Sequence, residues 1–261
     1  MFKTLMFFIQ LLRTSIKASI STRGAFLIES TLMIVNNLIF FSIWWIFFSR
    51  YPDVANWHFN DMVILISVGS GSYGLMQICF GGIRNLSKMI QDGALDPFMT
   101  QPKNLLLHVA GSKSFAKGWG QLMTSFIMII LSKISSPVDI CLILLGIVSG
   151  CLVFTSINII AHSLPFWMGT FDGVSKKICE ALFLFALYPT NIYSGWLQVI
   201  MFTLIPAGII SYLPVELIRH FSWSQLLILI TSASAFLVLA IGIFYFGLKK
   251  YESGNRFRCR I

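Results

Sequence analysis

The run Gln91-Asp92-Gly93-Ala94-Leu95-Asp96-Pro97-Phe98-Met99-Thr100-Gln101-Pro102 decides how the rest of this chain is read. It sits inside residues 84–113, the longest polar interval between two hydrophobic blocks, and one glycine and two prolines punctuate it. Arg84, Lys88, Lys103, Lys113 and, at its edge, Lys117 make the interval basic. In both directions from it the sequence turns apolar in blocks of about 20 residues, the length that carries a helix across a bilayer. Of the 261 residues 56% are hydrophobic and 11% charged, with a mean hydropathy of +0.80. A water-soluble chain is nearer about a quarter charged, so a soluble domain is excluded. The fold class is all-α integral membrane, read as a single transmembrane domain over 1–261 with one sizeable water-facing surface.

Upstream of the interval, residues 2–21 are amphipathic. Leu5, Ile9, Leu12, Ile16 and Ile20 fall on one helical stripe, and Gln10, Arg13, Thr14, Lys17 and Ser21 on another. Such a helix suits the headgroup level, lying flat against membrane lipid. Spanning instead would strand Arg13 and Lys17 in hydrocarbon, at roughly 2.5–3.5 kcal/mol each. The charges spread through this segment do not have the layout of a cleavable signal peptide. Residues 26–48 form the first span, closing on Trp44 and Trp45 as interface anchors. Residues 62–83 form the second, whose Gly69, Ser70, Gly71, Ser72 and Gly74 allow a neighbouring helix to approach closely.

Downstream, 115–131, 138–160 and 226–248 are spans. The 41 residues 178–218 are mostly apolar but interrupted at Tyr188-Pro189, Ile205-Pro206 and Leu213-Pro214, which is too long for one span. Charge decides their path. Placing the N-terminal segment, residues 84–117, residues 169–177 and the C-terminal tail inside gathers sixteen of the nineteen Lys and Arg there, leaving Arg50, Lys133 and Arg219 outside. That asymmetry is the positive-inside signature. It makes 178–218 cross a net once, with the surplus returning on the outer side as a broken, re-entrant segment, tolerated only where buried in protein or lining a cavity. The expectation is six spans with both termini cytoplasmic.

Several chemistries are excluded by the same residues. The net charge of +9 flanks apolar blocks and forms no polar basic domain, so nucleic acid is not a partner. No G-x-x-x-x-G-K-[ST] phosphate cradle occurs, so the chain binds no ATP of its own. The five cysteines lack paired spacing, and neither His108 nor His162 has a second ligand at metal spacing. No cofactor, metal site or catalytic group is expected.

Residues 91–102 resemble the cytoplasmic loop of bacterial ABC-2 type export permeases, where acidic–x–Gly–Thr/Ala–Leu–acidic–x–Leu/Phe–aliphatic–x–x–Pro follows the second span. Gly93, Ala94, Leu95, Asp96, Phe98, Met99 and Pro102 match, while Gln91 stands where the family usually has an acid and Pro97 is a departure. Tyr188-Pro189, Tyr193, Ile205-Pro206 and Tyr212-Leu213-Pro214 further resemble a subfamily whose permeases are often found as two different partners with one ATPase. The resemblance implies an elbow helix at 2–21, a short coupling helix in the 84–113 loop, and a permease subunit of a bacterial inner-membrane exporter. ATP would be hydrolysed by a separate ATP-binding cassette subunit, and a second permease chain, like or unlike, would complete the pore.

In that reading Gly93 gives a turn, Leu95, Phe98 and Met99 are apolar knobs, and Asp92, Asp96 and Lys103 are rim charges. A plain interfacial loop is the alternative. Glu29, Asn36, Asn37, Glu180, Tyr188 and Pro189 are candidates for the substrate path or gating. Against this, Arg23 can neutralise Glu29, Lys176 or Lys177 can pair with Glu180, and an intramembrane Asn often bonds a neighbouring helix. Few charges in the path favour a hydrophobic or amphipathic substrate. An ATP-independent channel, scramblase or carrier remains the competing function, and an enzyme acting on lipids lacks the cluster of polar catalytic residues it needs.

Overall fold

The axis of the molecule is the helix that enters the polar interval, α3 (Phe59–Cys79). Past its first turn its sequence is mostly aliphatic or small on every side, Tyr73 and Gln77 excepted, and most of its side chains are buried, as a helix apolar all round must be. Its first turn is closed by Asp61, whose carboxylate accepts from the His58 backbone N–H at 2.9 Å. The structure, a computed structural model, describes residues 2–54, 56–132, 134, 136–189, 195–203 and 205–251. Lys133, Tyr193, Arg256, Arg258 and Arg260 lie outside these residues. The described residues are helical, with no β-strand among them.

α3 packs most extensively against α7 (Ala116–Leu131). The approach is backbone to backbone: a Cβ placed on Gly74 would lie 2.7 Å from the Gly118 carbonyl oxygen, and one on Gly118 would lie 2.9 Å from that of Gly74. Close to it, Ser67 Oγ donates to the Ser125 carbonyl at 3.1 Å and Ser125 Oγ returns a bond to the Ser67 carbonyl at 2.7 Å. Small residues and reciprocal hydroxyl bonds hold helices together where lipid removes the hydrophobic drive between them. Gly74→Val should therefore cost about 1–3 kcal/mol, since the obstructing atoms are backbone and do not rotate away. A lowered thermal midpoint in fluorescence-detected gel filtration checks this.

Outside α7 lies α2 (Arg23–Arg50), and on the other side of α3 lie α8 (Pro137–Ser163) and then α13 (Trp223–Leu248). The central helix has 89% of its most apolar window buried, against 17% for α2 and for α13, so the two rim helices present apolar faces outward. Among the described residues four helices are long and apolar enough to cross a membrane: α2, α3, α8 continued through α9 (Pro165–Met168), and α13. α7, at 16 residues, is shorter than the ~20 that a full crossing takes.

Residues 172–219 are broken into α10 (Asp172–Ala186), α11 (Trp196–Thr203), a π-helical turn (Gly208–Tyr212) and α12 (Leu213–Arg219). Pro206 precedes the π turn, and Pro214 sits in the first turn of α12, where no backbone donor is missed. The stretch begins beside the polar interval, where the Gly169 carbonyl accepts from Gln91 Nε2 at 3.1 Å. It finishes at the opposite end, where Arg219 Nη2 donates to the Asn56 carbonyl at 2.6 Å and Arg219 Nε lies 3.8 Å from Asp61 Oδ1. The helix at 2–21 is present as α1 (Phe2–Ser21). The second span ends early, at Cys79, because a 3₁₀ turn (Gly81–Asn85) redirects the chain.

Candidate coupling site

Beyond that turn, α4 (Leu86–Gln91) runs into the quoted stretch. Gly93 has φ +68°, the left-handed region that favours glycine, and it ends α4. The Ala94 N–H reaches back to the Met89 carbonyl at 2.8 Å and the Gly93 N–H to that of Ile90 at 3.5 Å, a Schellman closure. A second short helix follows at once, α5 (Asp96–Met99). Pro97, the departure from the family pattern, falls in its first turn, where a missing N–H does no harm.

The five expected coupling residues do different jobs. Leu95 is 0% exposed and packs in a cluster with Ile83, Leu86, Ile90 and Val109, so it anchors the loop and is not a knob on its surface. Phe98 is half-buried, its ring 4.7 Å from that of His108. Asp96 Oδ1 accepts from the Tyr251 hydroxyl at 2.8 Å. Met99, at 46% exposed, is the large apolar side chain that α5 offers to the outside. Gly93 supplies the turn.

Around α5 the loop is tied to every neighbour. α6 (Leu105–Gly111) was not expected from the sequence; Asn104 caps it, accepting from the Leu107 N–H at 3.1 Å. α6 lies against α1, where Gly111 faces Phe8 and Leu11. His108 is wedged between Phe98 and Phe7, the latter ring 5.3 Å away edge-on, and Lys103 Nζ sits 4.9 Å from the Phe7 centroid. On the far side the Tyr251 ring lies 6.2 Å from Phe166 of α9, which lies 5.9 Å from Phe244 of α13. Burial and the Asp96 carboxylate push the Tyr251 phenol upward, so it remains a donor at ordinary pH. Phe115, entering α7, donates its N–H to the Gln77 carbonyl of α3 at 3.2 Å, which closes the loop at its base.

Burial lowers the pKa of His108 below its usual 6.5. A lowered histidine gives stability that is whole above the unfolded-state value and drains away as pH falls through it. Protection factors of the amides of residues 95–111, taken relative to intrinsic exchange at each pH, should therefore fall below about pH 6, and His108→Phe should flatten that dependence. Hydrogen exchange at two pH values reads both.

The other candidates do not converge. Asn37 is buried and its Nδ2 donates to Gln121 Oε1 at 2.8 Å and Thr124 Oγ1 at 3.1 Å, a bond from α2 to α7. Asn36 and Glu29 are exposed on α2, one heptad apart on one face. Glu180 is exposed, with Lys177 Nζ at 3.0 Å. Tyr188 stacks edge-on against Phe40 and Trp44 at 5.7 and 5.8 Å and lines a 310 Å³ pocket with Ala181, Leu184 and Phe185. Pro189 is buried. Ser87 Oγ and His162 Nδ1 lie 2.6 Å apart, but both residues are 0% exposed, which makes them a pin between α4 and α8 and not a nucleophile. Among the described residues no group of three or more His, Cys, Asp or Glu is placed to hold a metal. Sequence reasoning missed Tyr251 and gave His108 no role: the Tyr251–Asp96 bond joins positions 155 residues apart, and no local pattern announces it.

A family profile described as ABC-2 family transporter protein matches residues 31–254, from α2 to just beyond α13. No curated protein and no solved structure matches the chain. ABC-2 permeases are the membrane components of transporters and generally work with an ATPase subunit that holds the ATPase activity. With apolar helices able to cross a bilayer and a match over well more than half its length, the chain belongs to the ABC-2 family of transporter proteins.

Proposed function

We propose that this chain is the permease subunit of an ATP-driven exporter, with α5 docking in a groove of a separate ATPase. The observation that carries the reading is the arrangement of residues 91–102: a rigid turn on a buried anchor, with Met99 held outward. A short helix so held can pass a rigid-body movement into the membrane, provided the ATPase favours one arrangement over another. In this reading the helices cross the bacterial inner membrane six times and both termini are cytoplasmic. The start of 172–219 beside Gly169 and its finish beside Asn56 support one net crossing by that broken segment, re-entrant on the outer side. α1 lies flat as the elbow, with Leu5, Met6 and Ile9 exposed to lipid while Phe8 and Leu11 face α6.

A second permease chain, identical or related, covers the outward face of α2, where Glu29 and Asn36 stand among exposed Leu32, Ile39 and Ile43. The low charge of the apolar blocks supports a hydrophobic or amphipathic substrate. Co-purification from the native membrane tests the docking: the ATPase should come down with the full chain, and vesicles holding both should transport only with ATP. Transport that survives ATP depletion in those vesicles would instead establish an ATP-independent channel, scramblase or carrier.

A further inference from the structure

A 360 Å³ groove lies where α1, α6, α8 and α13 meet, away from the pocket at Tyr188. Leu237, Ile241 and Tyr245 form one wall, spaced four apart on a single face of α13. Leu152 and Ile159 of α8 form the other, and Phe8 and Leu107 close it on the side of the elbow. From Leu237 to Tyr245 the wall runs eight residues, or ~12 Å along the helix.

The groove is polar at one end only. Both α8 and α13 run toward the coupling loop, so Tyr245 and Ile159 mark the loop end and Leu237 and Leu152 the deep end. At the loop end stand the Tyr245 phenol and the Asn104 amide; the preceding residue, Lys103, is exposed and carries its Nζ 4.9 Å from the ring of Phe7, the α1 neighbour of the groove residue Phe8. Thr155, the polar residue deeper in, has its hydroxyl spent on the Cys151 carbonyl at 2.7 Å. The cleft thus has an apolar trough between two bilayer-spanning helices and a hydrogen-bonding mouth at headgroup depth with a lysine close beside it.

We propose that this groove holds one acyl chain of an anionic phospholipid whose phosphate meets Lys103 and Asn104. The site does not depend on which subunit drives transport, since it rests on the membrane placement of α8 and α13. The bound acyl chain packs along the seam between elbow and bundle, beside the direct contacts of α6 with Ile83 and Leu86.

The full chain, reconstituted in vesicles of equal phosphatidylcholine and phosphatidylglycerol and then extracted in mild detergent, is examined by native mass spectrometry. The expected result is retained phosphatidylglycerol in preference to phosphatidylcholine. Ile241→Trp, which fills the trough, should abolish retention, while Val238→Trp, on the exposed face of the same helix, should leave it unchanged. Lys103→Gln removes the charge of an exposed side chain, at the cost of its contact with the Phe7 ring, and should cut the preference for phosphatidylglycerol about fivefold, the worth of one basic residue at an anionic surface; it keeps the test alive if Ile241→Trp misfolds. A wild-type chain that retains no lipid, retention without headgroup preference, or an Ile241→Trp variant that folds and retains as much as wild type overturns the proposal.

Discussion

Met99→Asp should detach the ATPase subunit while leaving the permease folded. Met99 is 46% exposed on a four-residue helix, so a carboxylate there is solvated in the free chain and its fold is spared. In the docked complex the same carboxylate would be driven into an apolar groove without a partner. An apolar anchor at the centre of an interface is worth about 2 kcal/mol or more, a loss of roughly thirtyfold or more in affinity. Pull-down of the ATPase at fixed concentration should therefore fail, while gel filtration and thermal midpoint match the wild type. If Met99→Asp holds the ATPase as well as the native chain does, α5 is not the docking element.

Leu95→Asp should break the loop itself. Leu95 has no exposed surface and packs on Ile83, Leu86, Ile90 and Val109. Truncation alone at such a site costs about 2–5 kcal/mol, and an unpaired carboxylate adds a desolvation penalty that raises its pKa or expels the side chain. The loop then unravels, so limited proteolysis between residues 91 and 104 should accelerate sharply. ATPase binding is lost here as well, but for a different reason. Association without stability data would confuse the two variants, and the thermal midpoint separates them: unchanged for Met99→Asp and lowered for Leu95→Asp. Equal proteolysis of wild type and Leu95→Asp would contradict the buried placement.

Much of the architecture was legible because a bilayer leaves a chain few choices. Continuous apolar blocks become helices since no other local structure satisfies the backbone in lipid, and α2, α8 and α13 fall within a few residues of the expected blocks. Gly93 was legible too, because a helix ending on a left-handed residue asks for glycine. What stayed hidden depends on long-range contact. Leu95 and Met99 are both large apolar residues in a polar loop, and no periodicity over four residues says which one faces the bundle. Asn36 and Asn37 are adjacent and chemically identical, yet one bonds Gln121 and Thr124 and the other is exposed, a choice made by the rotation of α2 against α7. α6 was hidden because its seven residues are too short for periodicity and its partner surface lies on α1.

The crossing of α3 and α7 at Gly74 and Gly118 has a mechanical outcome. The loop bearing α5 leaves from one of these helices and returns to the other, and the Phe115–Gln77 bond joins them at the root. Its two stalks are thus riveted below the hinge, like the blades of closed scissors. A shove on Met99 has no means of prising them apart, and the pair must rock as one beam. Since α2 leans on one edge of that beam and α8 on the other, a single tilt would swing both flanks of the bundle in opposite senses.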